Sequence, residues 1–190
     1  MNVLCRTANR AGVLRHSDGN LGCYSDSERT PFRVTVVHTS TEATIAALKT
    51  AAELATGLGA ELALLWAEEI PLQYPLRDLP VPIEMLERQP RKVVYLSGVR
   101  ERQVLTQLLL CRDQYTAIPH SLSSHSLVVI GKSAAWWSRP GKKLERILRE
   151  AGHQVVPVAA PRTGPFRGHW NWQIVLIRLF MGLATRRVGI

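Results

Sequence analysis

Three cysteines is few for 190 residues, and Cys5, Cys23 and Cys111 are odd in number, widely spaced and without a CxxC pair. A disulfide framework is not expected, and a reducing, cytoplasmic setting is. The histidines are as scattered. His38, His120, His125 and His153 form no HExxH motif and have no well-spaced carboxylate or cysteine, which argues against a metal site. No nucleophile elbow and no carboxylate pair placed for acid–base work occurs, so catalysis is not expected. The first residues lack an apolar core and are interrupted by Arg6, Arg10 and Arg15, so they do not read as a signal peptide. An aromatic-plus-basic sheet pattern is also missing, which disfavours nucleic acid as a partner. Finally, no Asp or Glu follows Glu150, while Arg162, Arg167, Arg178, Arg186 and Arg187 do.

What is present is apolar material for one sizeable core (46% of residues) and a formal charge of +9. The charge alone suits an anionic partner: nucleotide phosphates, nucleic acid, an anionic membrane surface or an acidic protein. The length predicts one domain with appended ends. Residues 1–30 show no sustained period and read as a flexible leader. Residues 31–160 alternate strand and helix patterns. Residues 161–190 begin with a linker (Pro161, Gly164, Pro165, Gly168) and continue as the apolar, Arg-flanked segment Trp170–Leu183. That segment is too short to span a bilayer and is broken by Arg178. It reads as an amphipathic helix that either contacts a membrane or membrane protein through residues 170–187 or folds back on its own domain.

Within 31–160, Val34 to Val37 is a β-branched run that suits a buried parallel strand over Arg33–His38. Thr39-Ser40-Thr41-Glu42 fits a capping box that opens a helix running to about Thr56, with Gly57 or Gly59 as its stop. Leu62–Trp66 is a second strand. Residues 70–90 are punctuated by five prolines and admit only a short helix over Ile83–Arg88. Val93–Leu96 reads as a third strand. A helix over Arg100–Tyr115 follows, burying Val104, Leu105, Leu108 and Leu109, with Cys111 on or near that face as a small hydrophobe. A loop through Pro119, His120 and Ser121 leads to a fourth strand, Leu127–Ile130. A helix over Lys142–Glu150 and a fifth strand, Gln154–Val158, complete the set, and Pro157 places that strand at an edge. Five strands alternating with helices predict a three-layer α/β sandwich on a five-stranded parallel sheet.

The stretch Ser126–Ala159 carries the candidate site. Gly131-Lys132-Ser133 resembles the end of a P-loop, but Ser126 stands where the first glycine belongs, so no Walker motif is present. A glycine turn followed by a helix start near Gly141-Lys142 nevertheless offers amides and charge to a phosphate. Thr39, Ser40, Gly131, Lys132, Ser133 and Gly141 are expected to line a crevice, with Arg139 and Lys142 adding positive charge. Trp136 and Trp137 either stack a base, enter a partner's pocket or cover the sheet edge.

The order of elements, with the pieces LVVIGKS, KKLERILREAGHQVVPV and TAAELATGLGAELALLW, resembles the universal stress protein family over roughly Pro31 to Ala160. Within it the chain is most similar to the stress-protein-like domain of potassium-sensing histidine kinases. The resemblance implies a sheet of order 3-2-1-4-5, a switch point between the first and fourth strands, a regulatory, non-catalytic role in stress signalling, and homodimers along the fifth strand. It implies ATP or a cyclic dinucleotide as ligand, through a motif that is degenerate here. His38 occupies the place of the family's aspartate, Ala134 replaces the second glycine of the nucleotide motif, and Lys142 follows Gly141 where a hydroxyl residue belongs. Ser40 and Trp66 are comparable to residues with which some relatives hold a cyclic dinucleotide.

Overall fold

The computed structural model describes residues 32–76, 79, 81–124, 126–132 and 142–160, and only the backbone of 4–8, 14–18, 102 and 139–141. Seven strands form one sheet in the order β2-β1-β5-β4-β3-β6-β7: β1 (Leu4–Ala8), β2 (Leu14–Asp18), β3 (Arg33–Val37), β4 (Glu61–Glu69), β5 (Val104–Cys111), β6 (Leu127–Lys132) and β7 (Gln154–Ala159). The run from β3 to β7 is parallel throughout. Numbered among themselves, those five strands lie in the expected order 3-2-1-4-5. β3 is central, with Val34 beside Leu62 on one side and Leu127 on the other. Pro157 sits opposite Ile130 in β7, at the end of the sheet, where its missing N–H breaks no ladder.

Strand periodicity divides the core in two. Val34, Val36, Leu62, Leu64, Leu108, Leu110 and Val129 point to one face, where α1 (Thr41–Leu58) and α2 (Ile83–Ser97) supply Ala47, Leu48, Ala51, Val93 and Val94. Val37, Leu65, Leu109, Val128 and Ile130 point to the other. There α3 (Gln114–Ser121) and α4 (Arg139–Glu150) supply Ala117, Ile118, Leu144 and Leu148. Each fully buried Leu, Ile or Val is worth roughly 1.5–3 kcal/mol. Four of the six alanines of α1 (Ala43, Ala47, Ala51, Ala55) are buried, and their small side chains let this helix lie close against the sheet. Gly59 ends it in the left-handed conformation (φ 61°), donating to the carbonyls of Ala55 and Thr56.

The structure corrects several expectations. Val93–Leu96 is the end of α2, and the third parallel strand is Val104–Cys111. The apolar spacing misleads here because Val104, Leu105, Leu108 and Leu109 fit both a helical stripe and a strand buried on both faces. α2 also runs through Pro90, which lies on its buried side, and is far longer than the turn expected over Ile83–Arg88. His120 lies in α3 rather than in a loop. No capping box forms at Thr39 and Glu42: the N-cap is Ser40, without a side-chain cap bond. The segment expected as a leader contributes β1 and β2. They form an antiparallel hairpin whose β1 pairs with β5, Leu4 beside Leu110 and Ala8 beside Thr106.

Candidate functional site

From β3 the chain moves through β4 to β5, then returns to the other side of β3 as β6 and β7. The direction of winding therefore reverses between β3 and β6, and a crevice beyond their C-terminal ends is where an open α/β sheet takes ligands. The first turn of α1 follows β3 directly, and α4 begins beyond β6 on the opposite face. Both helix starts bring backbone amides and partial positive charge to this end of the sheet.

On the β3 side the residues satisfy one another. The Thr39 hydroxyl donates to the Gly131 carbonyl at 3.0 Å, and its backbone amide donates to the Thr44 hydroxyl at 3.3 Å. His38 stacks on Trp66, with ring centroids 3.6 Å apart and planes 13° from parallel. Its Nδ1 lies 3.0 Å from the Thr44 hydroxyl. Burial lowers the His38 pKa to about 4, so the imidazole is neutral at physiological pH. Trp66 Nε1 donates to Glu68 at 3.3 Å, and burial raises the carboxyl pKa of Glu68. The Ser40 hydroxyl is buried and has no hydrogen-bond partner among the described residues.

Gly131 lies within β6 rather than in the expected turn, and it is a packing position. A Cβ there would lie 2.0 Å from the Ala43 carbonyl oxygen and 2.3 Å from its carbon, so only glycine lets the first turn of α1 rest on β6. The requirement is space rather than an unusual φ, since among the described residues the left-handed glycines are Gly59, Gly98 and Gly152.

The β6 and α4 side is charged. Lys132, at the end of β6, pairs with Glu145 of α4 at 3.3 Å, and Arg149 pairs with the same carboxylate at 2.8 Å. Lys142 and Lys143 are exposed in the first turns of α4. Lys143 stands 4.1 Å above the Tyr115 ring and so ties α4 to α3. Arg139 and Gly141 belong to the start of α4. Ser133, Trp136 and Trp137 lie outside the described residues, as does the C-terminal segment from 161 onward.

Of the expected site residues, then, the structure joins Thr39 to Gly131 and leaves Lys132 engaged with Glu145. Sequence reasoning did not find the His38–Trp66 stack, Thr44 or Glu145. Thr44 and Glu145 carried no signal beyond being polar residues in amphipathic helices. Among the described residues no cluster of three metal-ligating side chains occurs. Cys111 is buried and its pKa is pushed up to about 12, first by burial and then by Glu69, Asp113 and Glu68, so it is an inert core thiol. No helix among the described residues is long and apolar enough to cross a membrane.

No family model and no curated protein matches the chain. Solved structures that it is similar to are universal stress proteins. One, in complex with cAMP, is 14% identical with a TM-score of 0.44, covering 68% of this chain and 97% of that one. A second, from Burkholderia pseudomallei, is 18% identical with a TM-score of 0.45, covering 69% and 98%. A third, from Archaeoglobus fulgidus in complex with dAMP, is 16% identical with a TM-score of 0.43, covering 68% and 98%.

Proposed function

We propose that the chain is a non-catalytic regulatory domain of universal stress protein type that senses an adenine nucleotide at the β3/β6 crevice. The observation that carries this reading is the reversal of winding between β3 and β6, with the starts of α1 and α4 opening on the same end of the sheet. The ligand's phosphates face the α4 side, where Lys142 and the amides of the first α4 turn supply positive charge and Lys132 is recruited from Glu145. The β3 side, where His38 stands neutral and stacked, contributes shape rather than charge. The domain acts in stress signalling in the cytoplasm, and β7, at the free end of the sheet, is the strand along which two copies pair.

Isothermal titration of the full chain with ATP, cyclic di-adenylate and cAMP tests the ligand. Micromolar binding of at least one, without product formation, is expected. No heat from any of them at high micromolar concentration removes the sensing role.

The filling of the β3 side by Thr39, His38, Trp66 and the α1–Gly131 contact favours a second reading. In it the crevice is vestigial and the chain is an interaction module that docks on a membrane or membrane protein through residues 170–187. Co-sedimentation with liposomes of the full chain and of a chain ending near Pro161 separates the two. Equal sedimentation of both would remove the tail as the anchor.

A further inference from the structure

α2 has two well-separated faces. Leu86, Pro90, Val93, Val94 and Ser97 are buried against the sheet and α1. The opposite stripe contains Met85, Arg88, Arg91, Lys92, Tyr95 and Leu96, all exposed. An outward stripe on a globular domain is ordinarily polar, and single exposed apolar residues need no explanation. Here three large ones share one stripe: Met85 is 52% exposed, Tyr95 80% and Leu96 49%. Three cations interleave with them, and none of the ion pairs between described residues uses Arg88, Arg91 or Lys92. Glu84, in the first turn, is the one exposed acid of the helix, and Glu87 is half-buried at the stripe's margin.

We propose that this outer face of α2 is a docking surface for an anionic lipid bilayer. Complementarity of charge selects the partner: Arg88, Arg91 and Lys92 meet phosphate and carboxylate headgroups, while Met85, Leu96 and the amphipathic Tyr95 enter the boundary between headgroups and acyl chains. Lysine and arginine stems reach past apolar neighbours to the headgroups, so the two residue classes do not compete for depth. The helix is held to the sheet by its other face, so docking requires no unfolding. The residues involved are neither those of the β3/β6 crevice nor those of the C-terminal segment.

The test is co-sedimentation of the full chain with phosphatidylcholine vesicles, with and without phosphatidylserine. The parent is expected to bind only the anionic vesicles. The charge variant R88E/R91E/K92E is expected to lose on the order of 100-fold in affinity, from about fivefold per cation. The apolar variant M85S/Y95S/L96S, which leaves the net charge untouched, is expected to lose about tenfold or more while keeping the parent's circular dichroism and unfolding midpoint. Binding by both variants equal to the parent's would overturn the proposal, because the contact would then lie elsewhere on the chain. Loss in the charge variant alone would overturn it too, since any basic protein weakly attracted to anionic vesicles behaves so. Failure of the parent to bind, coupled with retention on polyglutamate, would overturn it in favour of an acidic protein as the occupant of this face.

Discussion

The two sides of the crevice are built by opposite means. On the β3 side, α1 rests on Gly131 with no room for a methyl group, Thr39 is bonded to the Gly131 carbonyl, and His38 lies flat on Trp66. On the β6 side, the contacts are ion pairs among partly exposed side chains, Lys132 and Arg149 sharing Glu145. Close packing of buried atoms tolerates almost no change, whereas partly solvated charges exchange partners at small cost. The first side therefore fixes the frame, and the second is the side that the proposed reading gives to a ligand.

Four substitutions break or sharpen that contrast. The largest effect belongs to Gly131→Ala, because the new methyl meets backbone of Ala43 rather than a side chain that could turn away. A loss of about 3 kcal/mol in urea unfolding is expected. An unchanged midpoint would mean that α1 does not rest on β6.

Next comes the pH dependence of His38. Its folded pKa of about 4 lies below the ordinary 6.5, so between those values the unfolded chain binds a proton that the folded chain refuses. Stability from this group is complete above pH 6.5 and falls as the pH drops from 6.5 towards 4, by about 3 kcal/mol in all. Glu68, whose pKa burial raises, works in the other direction, so the comparison needed is the parent against His38→Gln at pH 7 and pH 5. The variant should lose most of the slope between those two conditions.

On the charged side, Glu145→Gln removes the carboxylate that competes with a ligand for Lys132. ATP affinity should rise about fivefold by calorimetry, while stability changes by less than about 1 kcal/mol. A large loss of stability would place Glu145 in the frame instead. Smallest of all is Lys142→Ala, whose side chain is exposed. Its unfolding midpoint should stay within about 0.5 kcal/mol of the parent's. Its ATP affinity should nevertheless fall measurably.

The same division governs what was legible in the sequence. The β-branched run Val34–Val37 and the apolar run Leu127–Ile130 read correctly as neighbouring parallel strands, because a strand buried on both faces has little freedom in composition. Val104–Cys111 failed for a related reason: its apolar residues, interrupted by Thr106 and Gln107, fall at helical spacing as well as in a strand buried on both faces, and Pro90 in the preceding segment argues locally against α2, the helix found in place of the expected strand Val93–Leu96. Pro90 is accommodated on the buried side of α2, a tertiary fact without a local signature. β1 and β2 were missed because Leu4–Ala8 and Leu14–Asp18 mix apolar and charged residues without alternation, and only the pairing of β1 with β5 and of β2 with β1 makes strands of them. At the site, Gly131 stands out in the sequence as a glycine suited to a phosphate, and the structure adds a role in packing that the sequence does not display. A glycine kept for a phosphate and one kept for an approaching helix look alike in a sequence, and only the distance to Ala43 reveals the second role. Trp66 and His38 are likewise far apart along the chain and meet only because β3 and β4 run side by side.

Arg112, just after β5, donates to the carbonyls of Ile70, Pro71 and Tyr74. One guanidinium thus holds three acceptors of the stretch that leaves β4. Leu72, 85% exposed, looks from its side chain like an easy cleavage site, but a protease must thread an extended backbone, and here the backbone is tethered on both flanks of that leucine. Limited digestion should spare the parent at this point and cut Arg112→Ala readily, which would make nicking at Leu72 a direct gauge of how firmly the start of this connection is tied down.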